Sequence, residues 1–401
     1  MTDDGPAARN ETGIRILNDL TDGRGSLKFP GLEKLLMRLL MGVPSTSHVE
    51  LARYEIEGLR ELGVEIDTLP YGSRSEGEST LKKALVVAWT ARAFRRALQR
   101  STYDLVYLNS TIGSRALVRD AITLQALRSA NVPVFIKMHG SDSTLLNRTD
   151  PVARILKHIV FNRAAAFGLL SSEEIANFHK AGVEEHKLFR VKNVVNPSVY
   201  KKDVEFKQRI GLSPGSPMVL FAARFIPSKG LIDLIRACAI LRDRGYSLNI
   251  VCLGDGPSRS ECEAEVECLG IQRLVRFPGF VPEAETKPYY ANADMVVLPT
   301  WEEGFPMTVF QAVAAGVPVI TTRIRAAADY LHEPENCLWV EPRNPGQLAD
   351  KMQQLLDSPA LMEQMAHNNL SSADNYSKET VANEFLEVYR TITSSMPASN
   401  S

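Results

Sequence analysis

The sequence predicts an α/β protein built from two doubly wound domains, each a parallel sheet covered by helices. Short apolar runs alternate with longer stretches of helical apolar spacing, which is typical of β-α-β units with buried parallel strands. The length of 401 residues exceeds that of a typical single domain and suits two. A segment rich in proline, glycine and charge separates two such series near the middle of the chain.

In the first half, the predicted strands are apolar runs flanked by turn residues and helices. Strands are predicted over residues 14–20, 64–69, 103–109, 132–138, 165–170 and 188–192. Helices are predicted over residues 48–62, which precede Gly63, over 80–100 and over 173–181, and another helix joins the strands at 103–109 and 132–138. From Leu32 to Leu40, five leucines recur at i, i+3, i+4, i+7 and i+8, which predicts a short amphipathic helix.

The second half repeats the same alternation and ends in helices. Strands are predicted over residues 218–222, 247–253, 275–277, 294–298 and from 317 onward. Helices are predicted over residues 230–244, 258–269, 287–291, 306–315, 348–356 and 378–392. Both halves therefore fit a doubly wound domain with a parallel sheet.

Composition and charge narrow the class of protein. The chain is 44% hydrophobic and 23% charged, as in ordinary globular proteins, and its net charge of −1 argues against nucleic-acid binding. It has no long apolar run and a polar start, so neither a transmembrane helix nor a secretory signal is expected. Five cysteines without a C-x-x-C pair argue against disulfides or zinc and favour a reducing cytoplasm.

The stretch after residue 300 is the most informative part of the chain. Glu302 and Glu303 precede Gly304-Phe305-Pro306, and proline suits the first position of a helix. That helix would end at Gly316, before a short buried strand. The acids would then face the positive end of a helix, at the edge of the sheet where α/β proteins bind ligands and where free N–H groups favour anions.

A second polar stretch follows the first strand of the second half. Arg224 and Lys229 lie five residues apart on a turn that opens a helix at Gly230. Two cations beside a helix N-terminus suit a diphosphate, because arginine grips it with a planar fork and lysine adds a point charge. The alternative is a pair of ordinary surface cations on a loop.

Together, these stretches resemble the retaining, nucleotide-sugar-dependent glycosyltransferases of family 4. Glu-Gly-Phe-Pro, a helix and Ala-Ala-Gly-Val-Pro-Val are similar to the family signature, and Arg224 with Lys229 matches the Gly-Arg-…-Lys-Gly motif, although Ala223 replaces its glycine. The family pattern Glu-x7-Glu is met by Glu303 and Gln311, so its second acid is an amide here. The resemblance implies the GT-B fold, in which two Rossmann-like doubly wound domains face each other across a cleft.

The resemblance also implies roles for individual residues. Arg224 and Lys229 would bind the donor diphosphate, Glu303 would hold the sugar, and His139 would contact the sugar 6-hydroxyl. The catalytic residues are therefore expected to be His139, Glu303, Arg224 and Lys229. The donor-binding residues are expected to be Phe280, Val281, Gly304, Phe305, Pro306, Met307, Thr308 and Gln311.

Most of the donor contacts are expected from the main chain. The backbone of Phe280 and Val281 would contact the base, N–H groups near Met307 and Thr308 the phosphates, and backbone groups of residues 304–306, including the Pro306 carbonyl, the sugar. Gln311, in place of the acid that accepts from the ribose hydroxyls, loses a charge-assisted hydrogen bond worth about 1–3 kcal/mol. No Asp-x-Asp cluster is present, so neither a metal nor a cofactor is expected beyond the nucleotide-sugar co-substrate.

The expected domains follow from these assignments. Residues 1–196 would form the N-terminal, acceptor-side domain with a disordered tail at 1–12, and residues 197–217 the interdomain linker. Residues 218–375 would form the C-terminal donor domain. Residues 376–401 would form a helix that crosses back to the N-terminal domain, followed by a tail.

The expected function is sugar transfer from a nucleotide diphosphate sugar to a hydroxyl of a glycan or lipid-linked acceptor. A UDP-sugar is expected ahead of a GDP-sugar, the enzyme would be a retaining, metal-independent hexosyltransferase, and polysaccharide or glycoconjugate synthesis is the expected role. The alternatives are a degenerate nucleotide-sugar-binding protein without turnover and a GT-B sugar-nucleotide epimerase.

The protein is expected in the cytoplasm, where two basic, partly apolar stretches leave open an association with the inner face of the membrane. They run from Leu32 to Leu40 and from Lys82 to Arg100. The alternative is that both helices pack on their own domain.

Overall fold

The computed structural model describes residues 37–43, 49–71, 80–141, 146–213 and 215–395. The chain divides into two compact units, unit 1 comprising Met1–Lys192 with Lys378–Ser401 and unit 2 comprising Asn193–Ser377. The sequence places the boundary slightly later, at residues 196 and 197, and assigns residues 197–217 to a linker. In the structure those linker residues that are described belong to unit 2.

Unit 1 is built on a six-stranded parallel sheet. Its order is β2-β1-β3-β4-β5-β6. The strands are β1 (Arg38–Val43), β2 (Glu65–Pro70), β3 (Leu105–Ile112), β4 (Val134–Ser141), β5 (Ala166–Leu169) and β6 (Leu188–Arg190).

The helices between these strands lie on both faces of the sheet, and most of them supply the apolar layer on one face. They are α1 (Val49–Glu61), α2 (Thr80–Arg100), α3 (Ser114–Ala126), α4 (Pro151–Arg163) and α5 (Ser172–Lys180). One core cluster joins side chains of α2 to α5 with side chains of the sheet, among them Phe94, Leu117, Val160, Phe178 and Ile136. The periodic spacing of these residues explains why the helices pack on the sheet.

The predicted helix from Leu32 to Leu40 is wrong where the structure describes it. Residues 38–40 belong to β1, in which Leu39 and Leu40 are buried. A leucine-rich run of this length fits a buried strand as well as a helix, and periodicity alone does not separate the two. Residues 32–36 lie outside the described residues, as does the strand predicted over 14–20.

Unit 2 holds the second six-stranded parallel sheet, in the order β12-β11-β10-β7-β8-β9. Its strands are β7 (Met218–Ala222), β8 (Asn249–Leu253), β9 (Val275–Gly279), β10 (Met295–Leu298), β11 (Val319–Thr322) and β12 (Cys337–Val340). The chain passes from β7 outward to β8 and β9, then returns to β10 on the other side of β7. This reversal is the topological switch point of a doubly wound sheet.

Unit 2 also contains helices before, between and after these strands. They are α6 (Phe206–Arg209), α7 (Leu231–Asp243), α8 (Arg259–Cys268), α9 (Glu283–Asn292), α10 (Met307–Ala314), α11 (Arg325–Tyr330), α12 (Pro345–Leu356) and α13 (Pro359–Ser372). Strand β12 and helices α6, α11 and α13 were not predicted from the sequence, and neither was α4 of unit 1. Helix α13 buries few side chains, Met365 and Asn369 among them, so its apolar stripe is too thin to recognise.

The last helix, α14 (Lys378–Ser394), belongs to unit 1 and lies against α1. The approach is close, because a Cβ on Gly58 would come within 2.6 Å of the Lys378 carbonyl oxygen. Phe385 and Tyr389 of α14 pack on Tyr107 and Phe135 of the sheet. Helix α14 therefore covers the sheet face opposite to α2 and α3.

Candidate functional site

The predicted site residues of unit 2 follow two neighbouring strands at the switch point. Strands β7 and β10 pair in parallel, so the loops after Ala222 and Leu298 leave the same edge of the sheet. The first loop carries Arg224 and Lys229, and the second carries Glu303. In open α/β sheets, this edge is where ligands bind.

The loop after β7 is held in an unusual backbone conformation by Gly230. This glycine has a φ of +73°, and a Cβ there would come within 2.2 Å of the carbonyl oxygen of Pro299, in the loop after β10. Only glycine lets the two loops approach so closely. Lys229 ends a short 3-10 turn directly before it, and Arg224 is exposed at the start of the loop.

The Gly254-Asp255-Gly256 turn supports this loop from behind. A Cβ on Gly254 would lie 2.0 Å from the carbonyl oxygen of Ala223, and one on Gly256 would lie 2.4 Å from that of Phe225. The Phe225 N–H donates to the Asp255 carbonyl at 2.9 Å. The turn therefore fixes the backbone on both sides of Arg224 by packing against it.

Lys229 and Glu303 meet in the structure. Nζ of Lys229 lies 2.5 Å from Oε1 of Glu303, and it also donates to the Glu302 carbonyl at 3.3 Å. Both side chains of the pair are mostly buried, whereas Glu302 is exposed. The structure thus brings one predicted cation and the predicted acid into direct contact.

Thr300 and Trp301 tie the Glu303 loop to the Lys229 loop. The Trp301 N–H and the Thr300 hydroxyl both donate to the Ser228 carbonyl, at 2.7 and 3.0 Å. The Trp301 indole N–H donates to Asp233 of α7 at 3.1 Å. Because these bonds are partly buried, the two loops form one preorganised wall. The roles of Thr300 and Trp301 were not predicted from the sequence, where the position of Trp301 beside the two acids was the only signal.

The N-terminus of α10 faces the same corner. Pro306 precedes the helix without a side-chain cap among the described residues, and the first N–H groups of any helix lack intrahelical acceptors. The Thr308 hydroxyl donates to the carbonyl of Ala222 at the end of β7, so only its backbone N–H is available to an anion. The Pro306 carbonyl accepts from Val309 and Phe310 inside the helix, so the predicted sugar contact of this carbonyl finds no support.

The side chain of Phe305 is buried in an aromatic cluster. Its ring stacks on Phe310 with centroids 3.9 Å apart, next to Tyr330 and Tyr376. The Gly304 carbonyl accepts from Ala326 of α11 at 3.3 Å. This aromatic cluster holds the short loop between Glu303 and α10 in place.

The other predicted donor residues are Phe280 and Val281, which follow β9, and Gln311, which lies on α10. Phe280 follows β9 and is 77% exposed, and Val281 is partly buried. Gln311, one turn into α10, is buried and donates from Nε2 to Oε1 of Glu283 at 3.3 Å. The sequence singled out Gln311 but not Glu283, which stands at the start of α9 directly after Pro282.

His139 lies in unit 1, near the carboxyl end of β4. Its Nε2 lies 2.6 Å from the amide oxygen of Asn109 on β3, and the Thr111 hydroxyl donates to the Gly140 carbonyl at 3.0 Å. Further polar groups lie at this edge, since Ser110 and Arg119 both contact the buried Asp120. The edge of unit 1 therefore carries two groups of polar contacts, one of which includes the predicted histidine.

Two negative observations apply to the described residues. They contain no group of three or more His, Cys, Asp or Glu side chains that could ligate a metal ion. None of the helices found there is sufficiently long and apolar to traverse a lipid bilayer.

Models of two protein families match the chain. The model described as "Glycosyl transferases group 1" matches residues 203–371, and the model described as "Glycosyl transferase 4-like domain" matches residues 43–193. The first match contains the loops after β7 and β10, and the second contains β4 with His139. Together they span most of the described chain.

Several known proteins are similar to this chain. An uncharacterised glycosyltransferase of Methanocaldococcus jannaschii is 29% identical over 51% of this chain, which spans about half (54%) of that protein. The alpha-D-kanosaminyltransferase of Streptomyces kanamyceticus is 26% identical over 66% of this chain and 72% of its own. The Anabaena protein HepE, solved in complex with UDP, superposes with a TM-score of 0.69 at 18% identity, over 88% of this chain and 99% of that one.

Proposed function

Since the chain belongs to the glycosyltransferases of family 4, which have the GT-B fold of two Rossmann-like domains, we propose that it transfers a hexose from a nucleotide diphosphate sugar to an acceptor hydroxyl. The observation that carries this proposal is the corner formed after β7 and β10. There Lys229 contacts Glu303 at 2.5 Å, beside the uncapped N-terminus of α10 and the exposed Arg224.

This corner suits a diphosphate leaving group. Arg224, Lys229 and the N–H groups of Met307 and Thr308 present positive charge or positive dipole ends to the place where the phosphate charge develops. The hydrogen bonds of Thr300 and Trp301 hold this wall in place, so little reorganisation is needed during the reaction. Electrostatic stabilisation of this kind takes the place of a divalent cation, and metal independence is part of the proposal.

Glu303 would hold the hydroxyls of the sugar and the partly cationic ring. When the diphosphate binds, it competes with Glu303 for Lys229, and the carboxylate becomes available to the sugar. The acceptor oxygen would attack from the face that the diphosphate leaves, so the anomeric configuration is retained without a covalent intermediate. His139 would act from unit 1 as a contact of the sugar, as the resemblance implies.

A UDP-sugar is the proposed donor. The support comes from HepE, which was solved with UDP and also with UDP-glucose. In this chain the exposed Phe280 and the adjacent backbone would receive the base, in the loop that leads from β9 to α9.

The proposed acceptor is a hydroxyl of a glycan or of a lipid-linked glycan, in glycoconjugate synthesis at the inner face of a membrane. The support is an exposed apolar surface on three adjacent helices of unit 1, which we call the α2–α4 patch. Each helix exposes two large apolar side chains one turn apart: Leu85 and Trp89, Val118 and Ile122, Val152 and Ile155.

The charge of these helices supports the same role. They carry six Lys or Arg in α2, two in α3 and three in α4, while the only acid among them is the buried Asp120. Exposed apolar side chains among cations are the composition that binds anionic lipid surfaces. This replaces the segment from Leu32 to Leu40, whose described leucines are buried in β1.

The proposed function is tested by a thermal-shift screen of the purified protein with UDP-, GDP- and ADP-sugars, with and without EDTA. Stabilisation by a UDP-sugar that survives EDTA is expected. It should be lost in Arg224→Ala and kept in Arg273→Ala, which removes an exposed cation before the amino end of β9. No stabilisation by any donor would contradict the proposal.

Turnover distinguishes the alternatives. Transfer to a glycan acceptor with retained anomeric configuration, read by NMR of the product, is the expected outcome. Binding without turnover in the presence of membrane extracts and glycan acceptors would indicate a degenerate nucleotide-sugar-binding protein. Release of UDP without any acceptor would indicate an epimerase.

A further inference from the structure

A glutamate outside the expected site stands beside Gln311. Glu283 opens α9, and its Oε1 accepts from Nε2 of Gln311 at 3.3 Å. Gln311 is only 8% exposed, whereas the side chain of Glu283 is 38% exposed. The amide is therefore buried behind a carboxylate that a ligand can reach.

The two side chains differ in what they can offer to a vicinal diol. A carboxylate has only acceptors and can take a hydrogen bond from each of two hydroxyls, while an amide has one acceptor oxygen and must donate from its nitrogen. The Gln311 nitrogen already donates to Glu283. In this pair, the group suited to a diol is Glu283, and bonds to a charged acceptor are the stronger ones.

The position of Glu283 fits the sugar of a nucleotide. The residue follows the proposed base contacts Phe280 and Val281 in the chain, and its partner Gln311 lies one turn beyond the free N–H groups at the start of α10. Helices α9 and α10 are in contact. The carboxylate thus lies between the segment that would receive a base and the segment that would receive phosphates.

The glutamate is also held in place. Lys287, one turn along α9, donates to the Glu283 carbonyl at 2.9 Å and places Nζ 4.0 Å from its Oε1. Together with the Gln311 amide, this restricts the carboxylate from two sides, which lowers the entropy lost when a ligand binds.

We propose that Glu283 supplies the carboxylate that binds the ribose hydroxyls of the donor, and that Gln311 orients it. The inference rests on the proposed function, because it needs a nucleoside diphosphate in the site. It gives Gln311 a positioning role and explains how the chain replaces the second acid of the family pattern: the carboxylate moves from α10 to α9.

Calorimetric titration with UDP and with 2′-deoxy-UDP tests the assignment. The wild-type protein is expected to prefer UDP by about tenfold, the effect of a hydrogen bond to a charged acceptor. Glu283→Gln should bring the two ligands within about twofold of each other. The matched control is Glu285→Gln, an exposed acid of the same helix turn, which should keep the wild-type preference.

A double variant that exchanges the two side chains provides a second test. Glu283→Gln combined with Gln311→Glu retains one acid and one amide, so the preference for UDP should return to within about threefold of the wild-type value. Each variant is nearly isosteric, and its thermal unfolding without ligand reports whether it folds.

The outcomes separate this inference from the proposed function. If Glu283→Gln keeps the wild-type preference, or the wild type does not distinguish the two ligands, the ribose assignment is overturned and the proposed function stands. If the wild type binds none of UDP, GDP and ADP, both are overturned. If the protein binds GDP or ADP instead of UDP, the same comparison is made between that nucleotide and its 2′-deoxy form.

Discussion

Lys229 and Glu303 form an ion pair, with Nζ 2.5 Å from Oε1 and both side chains less than one-fifth exposed. A diphosphate that binds Lys229 therefore competes with a carboxylate of the protein. Glu303→Gln removes that competitor and should leave UDP affinity unchanged or raise it by up to about tenfold, because the lysine keeps its full charge for the ligand. Sugar transfer should fall by about 10²–10³-fold, since the carboxylate that holds the sugar is gone.

The comparison variants for this pair are Lys229→Met and Glu302→Gln. Lys229→Met should weaken UDP binding about tenfold or more, because a charge-assisted hydrogen bond to phosphate is lost. Glu302→Gln changes an exposed neighbour and should alter neither quantity. UDP affinity by calorimetry and transfer by product analysis give both numbers. Weaker UDP binding in Glu303→Gln would contradict the competition.

Gly230→Ala should damage fold and site together. The new methyl group would lie 2.2 Å from the Pro299 carbonyl oxygen, and the φ of +73° adds backbone strain of about 1–2 kcal/mol. The loops after β7 and β10 must then separate, which moves Lys229 away from Glu303. We expect a loss of thermal stability and at least a tenfold loss of UDP affinity.

Gly245→Ala separates these two effects. Gly245 has a φ of +91° but no atom within 4 Å of its added Cβ, so this variant introduces the backbone strain without the clash. Its melting temperature should fall modestly while UDP affinity stays at the wild-type value. Equal loss of affinity in both variants would show that the close approach of Gly230 does not position the site.

The sequence pointed to the segments that are proposed to bind the donor, and it missed the contacts that arrange them. Arg224, Lys229 and Glu303 were visible because they flank glycine and proline next to strong strand and helix patterns. The contact between Lys229 and Glu303 spans more than seventy residues and depends on the pairing of β7 with β10, which no local pattern encodes. Glu283 was missed for the same reason, because its meaning comes from Gln311 on another helix.

Fold prediction failed where a pattern had two physical readings. Leu39 and Leu40 fit a helix as well as a strand. They lie on a strand whose two faces are both buried, which explains why consecutive residues are apolar. Helix α13 was missed for the opposite reason, since it contacts the rest of unit 2 through few buried residues. The elements with dense periodic patterns, such as α7 and β8, were confirmed.

The buried pair of Lys137 and Glu55 should matter for stability. Nζ of Lys137 lies 2.9 Å from Oε2 of Glu55, and both side chains are 1% exposed, between β4 and α1. Lys137→Met leaves a buried carboxylate without its cation and should cost about 3–5 kcal/mol in the free energy of unfolding, measured with urea. Lys137→Met with Glu55→Leu should recover most of that loss, because two apolar side chains need no partner.

The exposed pair on the same helix serves as the control. Arg53 and Glu57 of α1 lie 3.0 Å apart at the surface, so Arg53→Met should change stability by no more than about 1 kcal/mol. A similar loss of unfolding free energy in Arg53→Met and Lys137→Met would mean that burial of the ion pair does not determine the cost of breaking it.

Thiol labelling should modify one cysteine. Burial raises the pKa values of the Cys238, Cys252 and Cys337 thiols, and burial with acidic neighbours raises the pKa of Cys262 to about 12. Thiolate is the reactive form, so these four should be inert at pH 7–8 in the folded protein, and exposed Cys268 should react. Mass spectrometry after maleimide treatment should show a single adduct, which Cys268→Ser removes, and more adducts after denaturation. Several adducts on the native protein would contradict the burial of the other four.

The α2–α4 patch should bind anionic membranes through its apolar side chains and its cations. Trp89 is 54% exposed, so its emission should shift to shorter wavelength with vesicles containing phosphatidylglycerol and stay unchanged with phosphatidylcholine alone. Trp89→Ser with Ile155→Ser should reduce sedimentation with anionic vesicles by about tenfold, because burial of the two side chains contributes about 1.5–3 kcal/mol each at most. Charge reversal of the exposed Arg95 and Arg96 should have a similar effect that vanishes at high salt.

The control is Val204→Ser, which removes an apolar side chain that is 98% exposed in unit 2; this variant should bind vesicles as the wild type does. An equal loss of vesicle sedimentation in Val204→Ser would mean that general surface apolarity, rather than the patch, drives the association. Unchanged sedimentation in every patch variant would contradict the membrane part of the proposed function and would leave the proposed donor site unaffected.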